Sequence, residues 1–323
     1  MKTSPIIRPV SPLDESSPSI VQALHSVRII WTAAGALALI GMLASAFFDL
    51  KLSSIVYSPG TVWAVIFAYI GPQPIYINLM AAIWLLFDPA AAADPSAASS
   101  EKSSRIRKII FLILGTLLIA VLVDMNQYHL SGSVFNWFLI AQLILTIGGG
   151  RLLYRCFQYK ERAERIQAAL FLILSAALCM ALVAIIKDIW HRPRYIALQA
   201  LDPVQGQADL SAFKNWWQIS WERLDSEAIS ALKAIDSDLF KSFVSGHTAS
   251  AAACFSSLIV LLYNRKADRH RILLALLCFA WTILTACSRI VLGKHYLSDV
   301  SGGLLVSIGA AFLASFIIYR RKS

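Results

Sequence analysis

Residues 29–48 read IIWTAAGALALIGMLASAFF, twenty positions without a charged side chain, closed by Asp49. A helix rises about 1.5 Å per residue, so a run of this length reaches across the ~30 Å hydrocarbon core of a bilayer. Backbone polar groups inside lipid must be satisfied within the segment, and a helix does this. Seven further apolar blocks follow, at 61–87, 109–123, 134–150, 168–186, 248–263, 272–288 and 300–319. The predicted fold is an all-α, polytopic membrane helix bundle of about eight transmembrane helices. The second block contains Gly71-Pro72-Gln73-Pro74, where proline removes a helical donor and predicts a break.

Composition agrees with that reading, because the chain is 58% hydrophobic and only 15% charged, with mean hydropathy +0.64. The formal charge of +10 raises the question of nucleic acid. The Lys and Arg residues flank apolar blocks, however, and no basic stripe interleaved with aromatics is present, which excludes nucleic acid as a partner. The five cysteines lie in or beside apolar blocks without metal-ligand spacing, and read as small buried apolar residues. The first block lacks a small-residue cleavage site and is expected to remain as a helix.

Basic residues test the count of spans, since they gather on the cytoplasmic connections. Lys2, Arg8 and Arg28, the group from Lys102 to Lys108, the run from Arg151 to Arg165, the group from Arg265 to Arg271, and Arg320 to Lys322 share one side if the count is eight. Both termini are then cytoplasmic, and 187–247 and 289–299 share the outer face. Lys187, Arg192, Arg194, Arg289 and Lys294 oppose a simple charge count there. An anionic substrate gives them another use.

The domain reading is a flexible cytoplasmic tail at 1–28, an N-terminal transmembrane region at 29–150 and a core at 151–323 with an outer-face insertion at 195–243. The tail carries Pro5, Pro9, Pro12 and Pro18. In the insertion, Phe213, the adjacent pair Trp216 and Trp217, and Trp221 recur at three to five residues. That spacing fits a helix lying in the membrane interface, and equally a packed lid.

Three polar stretches stand at predicted span ends on the outer face. In Ser288 to Asp299, His295 and Asp299 are four apart, so on a helical turn they share a face. The carboxylate can orient one ring nitrogen while the other faces a substrate. An interfacial histidine beside a carboxylate is the plain alternative. In Ser245-Gly246-His247-Thr248 a helix N-terminus offers free amides to an anion, with His247 beside it, or is simply capped by Ser245. Lys187 to Arg194 supplies cations suited to phosphate, or snorkelling cations at headgroup level. Asp188 and Asp299 are isolated acids beside cations, so no metal site is expected. The pattern favours metal-free phosphoryl transfer through a phosphohistidine, without a cofactor.

These residues resemble the type 2 phosphatidic acid phosphatase (PAP2) superfamily of membrane phosphatases, related in its site to vanadium haloperoxidases. The family shows Lys-x6-Arg-Pro, then Pro-Ser-Gly-His, then Ser-Arg-x5-His-x3-Asp. The last is complete here, from Ser288-Arg289 through His295 to Asp299; Val244 and Tyr195 stand where the first two carry proline. The resemblance covers roughly 168–319 and implies a PAP2-like catalytic core. It implies His295 as nucleophile, Asp299 as its orienting partner and His247 as general acid. Lys187, Arg194, Ser245, Gly246 and Arg289 would bind phosphate, with Arg192, which does precede a proline, as a second candidate for the work of Arg194. The implied activity is dephosphorylation of a membrane lipid phosphate or diphosphate, such as undecaprenyl diphosphate or a glycerophospholipid phosphate, with the bilayer itself as the other partner. A lipid phosphotransferase, a vanadate-dependent peroxidase and a non-catalytic transporter or scaffold are the alternatives.

Overall fold

Helix is the only regular structure among the described residues of the computed structural model, which are 20–87, 101–127, 133–157, 161–201, 213–219, 231, 234–262 and 269–320. The proline-rich tail before residue 20, residues 88–100, and within the insertion residues 202–212, 220–230 (with Trp221) and 232–233 lie outside them.

In chain order the helices are α1 (Ile20–Val56), α2 (Val62–Ile70), α3 (Gln73–Phe87), α4 (Glu101–Gln127), α5 (Ser133–Phe157) and α6 (Arg162–Trp190). They continue as α7 (Tyr195–Leu201), a 3₁₀ turn (Ser237–Phe240), α8 (Gly246–Ala252), α9 (Cys254–Leu262), α10 (Arg271–Val291) and α11 (Leu297–Tyr319). Every predicted apolar block contains a helix. Among the described residues six are long and apolar enough to cross a membrane: Ala23–Val56, Val62–Phe87, Asn136–Phe157, Arg162–Ala200, Arg271–Val291 and Leu297–Tyr319. The expected count of about eight is therefore corrected to six. The other two apolar stretches, Lys108–Val121 and Gly246–Leu262, fall short of the ~20 residues a bilayer core needs, although α4 itself is longer than its apolar part.

The lipid-facing surface is read from exposed apolar side chains. Leu43, Phe47, Leu112, Ile144 and Ile272 would be costly in water and are natural against acyl chains. Inside, Trp31 is fully buried between Phe171 and Phe312, and its indole N–H donates to the Phe255 carbonyl at 2.9 Å. Trp31 lies early in α1, Phe171 early in α6 and Phe312 late in α11. At the opposite end Asp49, late in α1, meets Arg192 just past α6 and Asp299 early in α11. So α1 and α6 run parallel and α11 runs against both.

Two helix breaks lie within the apolar stretches, and a side chain donates to a backbone carbonyl at each. At the predicted break between α2 and α3, the Trp281 indole donates to the Gly71 carbonyl at 2.8 Å. Between α8 and α9, Asn78 Nδ2 donates to the Ala253 carbonyl at 2.8 Å, and Asn78 Oδ1 accepts from Ser257 Oγ at 2.5 Å.

The described part of the aromatic stretch, 213–219, is a turn closed by the Gln218 amide donating to the Asn215 carbonyl at 3.0 Å, rather than a helix. It packs inward: Phe213 meets the Tyr296 ring edge-on at 5.3 Å, and the Trp216 carbonyl accepts from the Trp190 indole at 2.5 Å. Of the two sequence readings, the described residues follow the packed lid.

Candidate active site

The C-terminal ends of α6 and α10 and the N-terminal ends of α8 and α11 meet at one end of the bundle. Pro193 cannot donate to a helix, and α6 stops at Trp190 with His191 in the left-handed region, φ 41°. The chain then runs without regular structure through Arg194. Across from it, Ser245 caps α8, its Oγ accepting from the Thr248 amide at 3.3 Å, and its own amide donates to the Asp299 carbonyl at 2.9 Å. Gly303 lets this junction close, because a Cβ there would overlap the Ser245 carbonyl.

Asp299 stands in the first turn of α11, where the free amides of a helix favour a carboxylate. Its Oδ2 accepts from the Tyr296 amide at 2.8 Å and from Ser242 Oγ at 2.5 Å, and its Oδ1 accepts from Arg192 Nη1 at 2.7 Å. His295 Nδ1 faces Oδ2 at 3.6 Å, within ion-pair range and beyond hydrogen-bond length. Both ring nitrogens of His295 are buried without a hydrogen-bond partner among the described residues. Such a buried polar group is costly unless something completes it.

Lys187, Arg194 and Arg289 all act electrostatically on His295 and on His247, the half-buried second residue of α8. Burial holds the His295 imidazole well below its ordinary value; the positive field of Arg194, Arg289 and Lys187 pushes the same way, and Asp238 opposes it. Lys294 is lowered for the same reasons, burial first and then Arg194 and Arg289. The outcome is a neutral imidazole in a positive enclosure. It is nucleophilic, and its surroundings attract an anion.

The structure thus brings together Lys187, Arg194, His247, Arg289, His295 and Asp299, with Ser245 and Gly246 at the start of α8. The Ser245 hydroxyl serves as a helix cap, and it also accepts from Thr248 Oγ1 at 3.0 Å. Arg192 departs from expectation. It is fully buried, its Nη2 is 2.9 Å from Asp49 Oδ2, its Nη1 reaches Ser298 Oγ at 2.6 Å as well as Asp299, and its Nε donates to the Lys214 carbonyl at 2.7 Å. Its guanidinium lies 4.3 Å over the Tyr296 ring, and its three nitrogens are engaged by Asp49, Asp299, Ser298 and the Lys214 carbonyl. The left-handed turn at His191 sends Arg192 into the bundle and leaves Arg194 for the anionic side.

Four residues of this arrangement are not singled out by the sequence: Asp49, Asp238, Ser242 and Ser298. Asp238, in the 3₁₀ turn of the insertion, accepts from Arg194 Nη2 at 2.5 Å and lies 3.9 Å from Lys187 Nζ. Among the described residues no group of three or more His, Cys, Asp or Glu is placed to hold a metal ion.

A family model of the PAP2 superfamily matches residues 168–323, the part that carries all three motif stretches and leaves α1 to α5 outside. No curated protein and no solved structure matches the chain significantly.

Proposed function

We propose that this chain is a membrane lipid phosphatase of the PAP2 type, removing phosphate from a lipid phosphate or diphosphate through a phosphohistidine on His295. The observation that carries the reading is His295 itself: a buried, neutral imidazole with unpartnered nitrogens, set among Lys187, Arg194 and Arg289 and beside Asp299. The PAP2 match over the same residues supports it.

In this mechanism Lys187, Arg194 and Arg289 hold the phosphate oxygens and offset the charge of the pentacoordinate state. His295 Nε2 attacks phosphorus in line, the phosphorus–oxygen bond to the lipid breaks, and His247, which takes up a proton once the bound phosphate offsets the field of Arg289, Lys187 and Arg194, gives it to the departing oxygen. Asp299, facing Nδ1, supports the positive charge that develops on the ring. Water then attacks the phosphohistidine, its proton passes to His247, and phosphate leaves. A site at the end of the bundle suits a substrate whose tail stays in lipid. With the N-terminus cytoplasmic, α1 carries Asp49 to the outer side of a bacterial inner membrane, and the site that meets Asp49 through Arg192 and Asp299 lies there with it, independently of the number of spans.

At the two helix breaks the Gly71 and Ala253 carbonyls have protein donors, so the breaks do not call for a transported ligand. Purified protein in detergent is expected to release phosphate from one of undecaprenyl diphosphate, phosphatidylglycerol phosphate, phosphatidate or lipid A without added metal, and His295→Ala is expected to abolish it. Release only when a lipid acceptor is supplied would replace hydrolysis with phosphotransfer.

A further inference from the structure

Asp49 ends the uncharged run of α1 and is 2% exposed. A carboxylate in that position must be bonded, and its partners belong to the site rather than to its own helix. Its Oδ1 accepts from the Ser298 amide at 2.9 Å, and its Oδ2 accepts from Arg192 Nη2 at 2.9 Å and from the Ser298 hydroxyl. Every one of these partners is a donor, as an ionised carboxylate requires. One guanidinium is therefore held between two carboxylates: Asp49 from α1, outside the PAP2 match, and Asp299 from α11, beside His295.

A second contact fastens the same end of α1 to the loop that carries His295. The Ser58 amide donates to the Val291 carbonyl at 2.8 Å, and Tyr57 packs edge-on to Tyr195 at 5.2 Å. Gly293, at φ +65°, lies against Tyr57, where a Cβ would come within 2.6 Å of the ring.

We propose that Asp49 is a positioning residue for the reaction at His295, holding Arg192 so that the Asp299 carboxylate keeps its charge available to the imidazole. This rests on the reading of His295 as the nucleophile. The argument is one of charge: Asp49, Arg192 and Asp299 together carry one net negative charge. Without Asp49, Arg192 and Asp299 cancel. His295 would then face Lys187 from α6, Arg194 beyond it, His247 from α8 and Arg289 from α10, with only Asp238 of the 3₁₀ turn opposing. In a buried site such a change is weakly screened. Asp299 would no longer hold the proton on Nδ1, and Nε2 would no longer be kept free to attack.

The test is nuclear magnetic resonance of full-length protein in micelles, labelled with ¹⁵N at histidine, with the His295 signals assigned by their loss in His295→Gln. In wild type the Nδ1–H tautomer is expected to dominate near neutral pH. In Asp49→Asn, which keeps the shape and removes the charge, the ratio of Nδ1–H to Nε2–H is expected to fall about tenfold, the effect of one charge at this range. Asp49→Glu is expected to return it toward wild type. Phosphate release, where present, should lose kcat by a similar factor with little change in KM. Ser298→Ala, which removes the hydroxyl joining Asp49 to Arg192, covers an Asp49→Asn that does not fold, and is expected to shift the ratio the same way by less. An unchanged tautomer ratio in the folded variant overturns the proposal. The tautomer needs no turnover, so a wild type that releases no phosphate would refute the phosphatase reading and leave this result to stand by itself.

Discussion

Arg194 and Asp238 are joined by a 2.5 Å hydrogen bond from Nη2 to Oδ2, and Lys187 lies 3.9 Å from the other oxygen of the same carboxylate. An acid from the insertion thus rests on two cations assigned to phosphate. Burial pushes this carboxyl up, but Arg194 and Lys187 outweigh burial and hold it below the usual range, so it is charged at neutral pH. An incoming phosphate must share or displace it. Asp238→Asn is expected to lower KM and tighten inhibition by orthovanadate by roughly three- to tenfold, since one competing charge near the surface is worth about a kcal/mol. Inhibition titrations that leave vanadate no tighter would rule out this competition.

Arg192 sits between Asp49 and Asp299 with all three side chains at most 2% exposed. Removing one partner leaves buried charge uncompensated, which costs about 3–5 kcal/mol. Arg192→Met is therefore expected to lower the unfolding midpoint in detergent far more than Lys241→Met, whose partner Asp188 is exposed. Equal midpoints for the two variants would mean that the buried pair carries no special weight.

Gly293 makes the loop before His295 possible in two ways, by its φ of +65° and by the space it leaves for Tyr57. Gly293→Ala is expected to reduce phosphate release at least tenfold. Adding Tyr57→Ala removes the clash but leaves a left-handed alanine, a residual cost of about 1–2 kcal/mol, so recovery should be partial. Full recovery would show that the backbone conformation is unimportant.

Burial, then the Arg194, Arg289 and Lys187 charges, hold His295 neutral in the fold, with its proton affinity well below the ordinary histidine value near ~6.5. As pH falls below about 6.5 the unfolded chain takes up a proton that folded His295 refuses. Stability is thus full above that value and is lost as pH falls through the lower, folded-state value. Unfolding midpoints measured between about pH 7.5 and 5 should fall less steeply in His295→Gln than in wild type. Parallel curves would mean that His295 is not the group responsible.

Lipid physics wrote much of this fold into the sequence. The eight apolar blocks all became helices, the chain broke at Gly71-Pro72, and α6 ended before Pro193, because hydrocarbon demands length and proline forbids a donor. Counting spans went too far where an apolar block was short, as in Gly246–Leu262, which is also interrupted at Ala253. The clustering of Lys187, Arg194, Arg289 and the two histidines was legible from their shared position at span ends. The direction of Arg192 was not, since it depends on one left-handed residue at His191. Asp49 was hidden for a different reason: an acid at the end of an apolar run marks a span boundary in any membrane protein, and its partner Arg192 is 143 residues away. Asp238 lies in an insertion whose sequence carries no periodic signal for its placement.

The central claim, that phosphate passes through His295, is tested most directly by acid-free quenching of the protein with ³²P-labelled lipid phosphate and mapping the label. The expected result is a base-stable, acid-labile phosphohistidine at His295, absent from His295→Ala and longer-lived in His247→Ala, which lacks the base for its hydrolysis. Phosphate release at the wild-type rate from His295→Ala, or label on another residue, would contradict it.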